Sequence, residues 1–408
     1  MKEFLAASFS EQLKTLKEGI IEILPRDGLE EKLNLSSREK RPLRVKLGVD
    51  PTTPDLHLGH AVVLKKLKQF QKFGHQVILI IGDFTARVGD PSGRSQGRSI
   101  LSEKEVKKNA QTYFQQAKKI LNPKKTEVCY NSQWLAKLTL KDLLGLMSIL
   151  SVAQLLERED FKNRFKGGSE ISLHEFLYPL MQGYDSVAVK ADIEIGGSDQ
   201  TFNLLVGREI QKFYQQKPQV TMTLPLLEGL DGEKKMSKSL GNYVGITEAP
   251  EKMFGKIMSI VDSLIIRYFR LCTDLTEKEV NELEKDLKNS RINPRDLKLR
   301  LAWEIVKIYH GNEAADKAQE FFVKTFSQKE LPANLPLIVL KFEKTPLFKI
   351  LPKFDSEIKS HSQAQSLVSA GSIDIDGQVV NDPFYVLDPG REHIIKIGKK
   401  KFFKIKFD

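Results

Sequence analysis

The sequence predicts a doubly wound α/β domain over residues 1–230, an all-α helical domain over 231–327 and a small α+β domain over 346–408, with a linker at 328–345. Three observations support this division. Strand and helix patterns alternate through the first part of the chain. Charged helical periodicity without strand signals follows, and the final segment contains short strands separated by turn residues. A length of 408 residues suits two or three domains.

The N-terminal part predicts a helix followed by a βαβ unit. Residues 9–24 place leucines and isoleucines on one face of a helix that Pro25 ends. Residues 43–48 resemble a short strand, 58–73 a helix and 77–81 a continuous apolar strand. Two strands joined by a helix predict a parallel sheet.

The alternation continues to the end of the first domain. We expect a helix near 104–121, a strand near 126–130, helices between 140 and 188, and strands near 192–196 and 219–224.

The pattern changes after Gly241. Pro250 is suited to the first turn of a helix, and the apolar residues that follow it share one helical face. The segment to residue 327 therefore predicts helices only. A linker is predicted next because prolines recur there with little periodicity, at Pro332, Pro336 and Pro346.

Composition excludes several classes of protein. The chain is 40% hydrophobic and 29% charged, as ordinary globular proteins are. Its longest apolar run is far too short to span a membrane, and the N-terminus lacks the pattern of an export signal. Two cysteines, Cys129 and Cys272, are too few for a disulfide scaffold or a four-thiolate zinc site. We expect a cytoplasmic protein with no membrane partner and no structural metal.

The net charge of +11 permits a polyanionic partner, although a basic enzyme without nucleic acid is the alternative. One segment favours the first interpretation. Residues 396–406 contain six lysines and no acidic residue, and Phe402 and Phe403 lie among them. This pattern predicts an ordered basic strand.

The first strand is followed by a segment suited to phosphate and a nucleobase. No dinucleotide-binding or P-loop glycine motif occurs in the chain. Instead, His57 and His60 lie three residues apart at a helix start, where main-chain N–H groups and the helix dipole favour anions. Gly59 between them allows a flat group to approach the backbone. The alternative is two surface histidines and a glycine needed for packing.

A lysine-rich loop forms a second candidate. The segment Lys234–Ser239, with sequence KKMSKS, is flanked by Gly229, Gly232 and Gly241. Lysines on a hinged loop can move onto a polyphosphate and leave again. The alternative is an ordinary solvated loop.

A third candidate is a helix face. Tyr178, Gln182 and Asp185 are spaced at i, i+4 and i+7, so they share one face of a predicted helix. Polar groups on an otherwise apolar helix are costly unless they meet a ligand or are satisfied in the core. The glycine-rich segment 196–200 follows at a strand end.

The His57–His60 and Lys234–Ser239 segments together resemble the paired signatures of class I aminoacyl-tRNA synthetases, which carry both on one Rossmann-type domain. The Tyr178–Asp185 face, segment 196–200 and Thr85 are similar to the amino-acid pocket of bacterial-type tyrosyl-tRNA synthetases. The similarity covers nearly the whole chain, including a C-terminal S4-type RNA-binding domain.

This resemblance implies that ATP activates L-tyrosine to tyrosyl-adenylate and pyrophosphate, and that tyrosine is then transferred to the 3′-terminal adenosine of tRNA(Tyr). It also implies a role for each pocket residue. Asp185 accepts the phenol hydrogen bond, and Asp90, Tyr178 and Gln182 hold the α-ammonium. Thr85 belongs to the same pocket, while Gln200 and Asp50 help to place the reacting end.

The resemblance assigns the ATP site in the same way, with Mg²⁺ accompanying the nucleotide. His57 and His60 contact phosphate, and Asp199 contacts the ribose. Lys235 and Lys238 neutralise the leaving pyrophosphate together with Arg94 and Arg98 on a second loop. Thr52 joins this catalytic group, and Gly59, Gly197 and Met236 complete the ATP site.

The sequence departs from the family pattern in two places. Lys46 occupies the position at which better-known members carry a tyrosine that contacts the phenol, so the second phenol partner stays open. The helix of the S4-type domain has Gln363, Gln365 and Ser366 where arginines are usual. Phosphate contacts would then come from Lys396, Lys399, Lys400 and Lys401, unless the domain serves only for packing.

The family also implies a homodimer that binds one tRNA across both subunits. The helical insertion at about 135–190 would form the interface through apolar residues that could equally be core: Leu143, Leu144, Leu146, Met147, Ile149 and Leu150. Two other functions remain open. A tryptophan-activating sister enzyme conflicts with the Tyr178–Asp185 face, and a non-catalytic RNA-binding paralogue conflicts with two intact catalytic segments.

Overall fold

The structure is a computed structural model that describes residues 8–51, 55–90, 102–327, 337–340, 345–355, 357–389, 391–398 and 401–407. The chain divides into two compact units, residues 1–319 and 320–408. None of the described helices is both long enough and apolar enough to cross a membrane.

A six-stranded sheet forms the centre of the first unit. Its strands lie in the order β1-β6-β5-β2-β3-β4. All neighbouring strands are parallel except β1 and β6, so the sheet is mixed. The strands are β1 (Glu22–Leu24), β2 (Arg44–Val49), β3 (Gln76–Ile81), β4 (Thr126–Tyr130), β5 (Ile193–Gly197) and β6 (Val220–Leu224).

Helices connect these strands and cover the sheet. They are α1 (Phe9–Lys17), α2 (Gly28–Glu39), α3 (Leu58–Lys72), α4 (Glu103–Ala117), α5 (Ser132–Leu135), α6 (Leu140–Met147), α7 (Val152–Leu156), α8 (Glu159–Lys166), α9 (Tyr178–Ala188) and α10 (Thr201–Phe213). The apolar core lies between them and the sheet, where Val77, Ile78, Ile80 and Ile81 of β3 are fully buried. The predicted parallel α/β arrangement is confirmed for five of the six strands.

The N-terminal helix is shorter than the sequence predicts. It ends at Lys17 instead of Leu24, because Gly19 adopts a φ of +70° that a helix cannot contain. Residues 22–24 form β1 instead and pair antiparallel with β6. The apolar residues of this segment therefore extend the sheet.

Strand β2 marks the point where the chain order reverses. From β2 the chain proceeds to β3 and β4 on one side and later returns to β5 and β6 on the other. A doubly wound sheet binds ligands in the crevice outside the carboxyl ends of the strands at such a point. The site is therefore expected where β2 and β5 end.

Helices follow in the remainder of this unit, and no described residue between 246 and 319 lies in a strand. They are α11 (Pro250–Met258), α12 (Ile265–Cys272), α13 (Glu277–Lys288), α14 (Pro294–His310) and α15 (Asn312–Phe322). Fully buried residues such as Phe254, Tyr268 and Leu301 form their shared core.

The second unit contains a five-stranded sheet in the order β7-β11-β10-β8-β9. Its elements are β7 (Leu337–Leu340), α16 (Leu347–Phe354), α17 (His361–Ser369), β8 (Ile373–Ile375), β9 (Gln378–Val379), β10 (His393–Ile397) and β11 (Lys401–Phe407). Strand β7 pairs parallel with β11 and lies within the range predicted as linker. The two helices and the sheet share one apolar core.

Candidate active site

A cavity of about 600 Å³ lies at the carboxyl ends of β2 and β5. Its wall includes His57, His60 and Lys235 from the two candidate phosphate segments, and also Tyr178 and Asp185 from α9. Three segments that are far apart in the sequence therefore line one cavity. The candidates for phosphate binding and the helix face predicted to bind an amino acid therefore share the same space.

The two histidines pack against each other at the start of α3. Their ring centroids are 3.9 Å apart, and the main-chain N–H of His57 donates to Nδ1 of His60 at 3.3 Å. Burial lowers the pKa of His60 to about 4. Burial, and to a smaller extent His60, lowers the pKa of His57 well below its usual value. Both rings are therefore neutral at pH 7 and offer N–H donors to a phosphate instead of positive charge.

Gly59 lies directly beneath the His57 ring. A Cβ atom at this position would lie 3.1 Å from two ring atoms of His57 and 3.8 Å from Cβ of Met236. A side chain here would push on the imidazole and narrow the gap to the lysine loop. Glycine therefore keeps the helix start open to a flat ligand.

The lysine loop is fastened to the rest of the site by main-chain contacts and two ion pairs. Met236 is buried and its N–H donates to the carbonyl oxygen of Leu227 at 2.7 Å. Lys235 Nζ lies 3.0 Å from Asp199 Oδ2, and Lys238 Nζ lies 2.7 Å from Asp55 Oδ2. Lys235 and Asp199 line the cavity, whereas the pair of Lys238 and Asp55 lies outside its wall.

Asp185 of α9 is almost fully buried in the wall of the cavity. Its two carboxylate oxygens accept hydrogen bonds from Trp134 Nε1 at 2.7 Å and from Asn131 Nδ2 at 3.3 Å. Burial raises the pKa of Asp185 to about 7, although Lys46 and these two donors act in the opposite direction. The carboxylate is therefore an oriented acceptor that is only partly ionised near neutral pH.

A chain of hydrogen bonds runs along the cavity wall. Tyr178 Oη donates to Asp50 Oδ2 at 2.9 Å, and Thr85 Oγ1 donates to Asp50 Oδ1 at 2.7 Å. Asn131 Nδ2 in turn donates to Thr85 Oγ1 at 3.0 Å. Asp50 and Thr85 approach so closely beside Gly82 that a Cβ there would lie 2.0 Å from Asp50 Oδ1.

A second group of polar side chains surrounds Asp90. Gln200 Nε2 donates to Asp90 Oδ2 at 2.8 Å, and Asn203 Nδ2 donates to Gln200 Oε1 at 2.9 Å. Arg158 closes the ring, because it donates to Asn203 Oδ1 at 2.9 Å and lies 3.5 Å from Asp90 Oδ1. Arg158 also forms a two-point pair with Asp160.

Lys46 forms an ion pair with Glu194 of the neighbouring strand. Its ammonium lies 2.9 Å from Glu194 Oε1, and both side chains are buried. Gln182, which lines the cavity, donates from Nε2 to the same Glu194 oxygen at 3.3 Å.

Several predicted site residues also lie at the cavity wall, namely Gly59, Asp90, Gly197, Asp199, Gln200 and Met236. Others fall outside the described residues: Thr52, Arg94, Arg98, Lys399 and Lys400. Among the described residues, no group of three or more histidine, cysteine and acidic side chains is arranged to hold a metal ion.

Comparisons with known proteins agree with this geometry. The family model of class I tRNA synthetases (W and Y) matches residues 38–327. A tyrosine–tRNA ligase from Carboxydothermus hydrogenoformans is 53% identical over 402 residues, which are 97% of this chain and 98% of that protein. A tyrosine–tRNA ligase from Thermotoga maritima is 50% identical over 395 residues, 97% of each chain. The chain belongs to the tyrosine branch of the class I tRNA synthetases.

Solved structures give the same result for the fold. A C-terminally truncated mitochondrial tyrosyl-tRNA synthetase from Aspergillus nidulans superposes on this synthetase with a TM-score of 0.64 at 25% identity, covering 80% of this chain and 96% of that one. A tyrosyl-tRNA synthetase complexed with L-tyrosine from Archaeoglobus fulgidus gives 0.61 at 20% identity, covering 76% and 100%. The second likeness is evidence of shared fold alone.

Sequence reasoning missed five side chains that support the site of this synthetase: Asn131, Trp134, Arg158, Glu194 and Asn203. Each contacts a predicted site residue, but four of them make that contact with a residue in a different segment of the fold. One local signal was present. Asn131 and Trp134 follow directly after β4, at the same edge of the sheet as the other strand ends.

Of the four lysines proposed to bind RNA, the two that lie among the described residues, Lys396 and Lys401, already have partners in the second unit. Lys401 Nζ pairs with Asp355 and Glu357 at 2.8 Å each, and Lys396 Nζ lies 5.6 Å from the centre of the Phe402 ring. Binding to a phosphate would require Lys401 to leave these carboxylates, so its proposed role stays a prediction.

Proposed function

We propose that this synthetase activates L-tyrosine with ATP to give tyrosyl-adenylate and pyrophosphate, and then transfers tyrosine to the 3′-terminal adenosine of tRNA(Tyr). One observation carries the proposal. The His57–His60 helix start, the Lys235–Lys238 loop and the α9 face ending in Asp185 line a single cavity. The relatives with about half of their residues identical are tyrosine–tRNA ligases.

Tyrosine would bind with its phenol at Asp185 and its ammonium near Asp90, Tyr178 and Gln182. The buried carboxylate of Asp185 accepts a hydrogen bond from the phenol. Phenylalanine would leave that acceptor without its partner, and an unpaired buried acceptor costs about 1–3 kcal/mol or more. The hydrogen bond from Thr85 to Asp50 would support this binding pocket. The carboxylate of tyrosine, which reacts, would lie near Asp50 and Gln200.

ATP would bind with its phosphates between the start of α3 and the lysine loop. Neutral His57 and His60 donate N–H groups, Gly59 and Gly197 leave room for the nucleoside, and Asp199 and Met236 contact it. Lys235 and Lys238 face Asp199 and Asp55 in this structure. We infer that the triphosphate, carried with Mg²⁺, replaces these carboxylates as the partner of both ammonium groups.

The chemistry needs alignment and charge instead of a protein nucleophile. The carboxylate oxygen of tyrosine attacks the α-phosphorus, the bond from that phosphorus to the bridging oxygen breaks, and pyrophosphate leaves. Negative charge grows on the pyrophosphate, where Lys235 and Lys238, with Thr52, Arg94 and Arg98, would stabilise it. Losing one such donor typically slows a reaction by about 10²–10³-fold.

The partner surfaces are part of the same proposal. On the insertion, Leu146 is buried, whereas Leu140, Leu144 and Met147 are 73%, 59% and 48% exposed. An exposed apolar group of this kind supports a homodimer interface.

The S4-type second unit would bind tRNA, which also fits the charge of +11.

ATP–pyrophosphate exchange with each amino acid tests the function. We expect exchange with tyrosine. Exchange with tryptophan alone would identify the sister enzyme, and no exchange with any amino acid would leave an RNA-binding paralogue.

Asp185→Ala tests the assigned pocket. We expect loss of tyrosine activation while ATP binding survives. Asp192→Ala is the matched control, because Asp192 is similarly buried but pairs with Arg41 and Lys32 at the opposite end of β5. Normal tyrosine kinetics in Asp185→Ala would remove Asp185 from the pocket.

A further inference from the structure

A buried ion pair without a role in the steps above lies at the wall of the proposed tyrosine pocket, where Glu194 is one of the lining residues. Lys46 on β2 and Glu194 on β5 are direct partners in the parallel pairing of these strands. Their side chains are 0% and 1% exposed. Transferring two charges out of water is costly, and apolar residues of similar size are often at least as stabilising. Stability alone therefore does not account for the pair.

The Lys46 ammonium has an acceptor for each of its three protons. Besides Glu194, it donates to the main-chain oxygen of Gln182 at 3.0 Å and to Ser186 Oγ at 2.8 Å. Both of these residues lie on α9, Gln182 one turn before Ser186. Lys46 thus joins α9 to strand β2, and none of its three acceptors belongs to Asp185.

Glu194 connects the pair to a residue of the pocket. Its carboxylate accepts hydrogen bonds from Gln182 Nε2 at 3.3 Å and Ser186 Oγ at 3.1 Å, and also from the amide of Gln219. A carboxylate can only accept, so the atom of the Gln182 amide that faces it is the nitrogen. The amide oxygen is then available to the cavity that Gln182 lines. An oxygen attracts an ammonium group, whereas an NH₂ group would repel it.

We propose that Lys46 and Glu194 form a positioning unit for amino-acid recognition: Glu194 holds the Gln182 amide with its oxygen towards the α-ammonium of tyrosine, and Lys46 balances the charge of Glu194 and anchors α9. This inference rests on the proposed function, in which Gln182 binds that ammonium. Lys46 is not needed to hold Asp185, the proposed partner of the phenol, because Trp134 and Asn131 donate to that carboxylate. The inference gives Lys46 a different role in the same pocket.

Two double variants separate positioning from packing. Lys46→Met/Glu194→Gln and Lys46→Met/Glu194→Leu both remove the two charges, but only the first keeps an oxygen that accepts from Gln182. The NH₂ group of the new glutamine would face Gln219, whose amide turns its nitrogen to Glu194 in this structure. A half-turn of the Gln219 amide would let its oxygen, which has no hydrogen-bond partner among the described residues, accept that bond. The Glu194→Gln double variant is therefore the matched control for the Glu194→Leu double variant.

Each enzyme is measured with two ligands. Tyrosine is assayed by its KM in ATP–pyrophosphate exchange, and 3-(4-hydroxyphenyl)propionate, which lacks the ammonium, by its Ki as a competitor. We expect the Glu194→Leu double variant to raise the KM for tyrosine about tenfold or more, because a hydrogen bond to a charged group is lost. The Ki of the analogue should change by less than about threefold, since the lost bond served only the ammonium. The control keeps the acceptor for Gln182 but lacks the Lys46 anchor of α9, so it should raise the KM and the Ki by one common factor of less than about threefold.

The inference would be overturned if the Glu194→Leu double variant weakened the binding of both ligands equally. Equal KM values for tyrosine in the two double variants would overturn it as well. If neither variant folds, a crystal structure of the wild-type protein with tyrosine decides. Gln182 must then contact both Glu194 and the ammonium, and an amide turned away from either one refutes the proposal. Failure of the wild-type protein to exchange with tyrosine would refute the proposed function instead, so the two failures are distinguishable.

Discussion

At the scale of single residues, the proposed role of Asp185 predicts that tyrosine binding depends on pH. Burial raises its pKa to about 7 from a usual value of 3.8. His57 and His60 have lowered pKa values, so they do not titrate in the same range. A phenol donates more strongly to an ionised carboxylate than to a protonated one. Tyrosine should therefore bind better as pH rises through 7.

We expect the KM for tyrosine to fall as pH rises from 6 to 8 and the KM for ATP to stay constant. Well below pH 7, each pH unit should weaken tyrosine binding by up to about tenfold, because a growing fraction of Asp185 is protonated. Asp185→Asn should give weak binding with a flat profile. A wild-type profile that is also flat would mean that Asp185 is ionised throughout this range.

The same titration affects folding in the opposite direction. An acid whose pKa is higher in the folded than in the unfolded state contributes stability below its unfolded pKa and loses it as pH rises through the folded pKa. For Asp185 this loss spans the range from about 4 to about 7. Recognition of the phenol therefore comes at the expense of stability in the unliganded enzyme near neutral pH.

At the scale of secondary-structure elements, the segment between α7 and α8 supports the proposed amino-acid site in addition to α9, which lines the cavity directly. Arg158 lies between α7 and α8 and completes the ring with Asp90, Gln200 and Asn203. Asp90 and Gln200 are proposed to contact tyrosine, and Arg158 is not among the residues that line the cavity. We therefore expect Arg158 to set the positions of these two residues without touching the substrate.

We expect Arg158→Met to raise the KM for tyrosine about tenfold and leave the KM for ATP within about twofold, because the ion pair with Asp90 and the hydrogen bond to Asn203 are lost. Arg164→Met is the matched control. Arg164 is equally buried on α8, but it pairs with Glu175 and not with a pocket residue. Both variants should unfold at lower temperature. A similar rise in the tyrosine KM in the control would show that the effect comes from a disturbed insertion.

Only contacts within one secondary-structure element could be predicted from the sequence. The Tyr178–Asp185 face was predictable because helical periodicity brings those residues together within one element. The Lys46–Glu194 pair was not, since it depends on the register of β2 against β5, and no local pattern encodes which strands become neighbours. Arg158 was missed for the same reason, because its partners Asp90 and Asn203 lie on other segments. Site residues within one helix could therefore be predicted from the sequence, whereas the residues from distant segments that hold them in place could not.

At the scale of the whole molecule, the two units are expected to divide activation and tRNA charging between them. Every described residue proposed to contact tyrosine or ATP lies in the first unit. The second unit has its own sheet and its own core. A C-terminally truncated relative with the same fold over 80% of this chain has been crystallised. Removal of the second sheet should therefore leave the catalytic fold intact.

The deletion should begin at residue 328, because β7 pairs with β11 and a cut at 346 would leave an edge strand without its partner. We expect the shortened enzyme to keep its rate of ATP–pyrophosphate exchange and to lose about 100-fold or more in kcat/KM for tRNA(Tyr), since one of two linked contact sites on the tRNA is gone. Exchange measured on the same preparation is the control for folding. Added salt should weaken charging more steeply in the full-length enzyme, because phosphate contacts are lost along with their counterion release. Equal charging and equal salt slopes in the two forms would mean that the second unit does not bind tRNA.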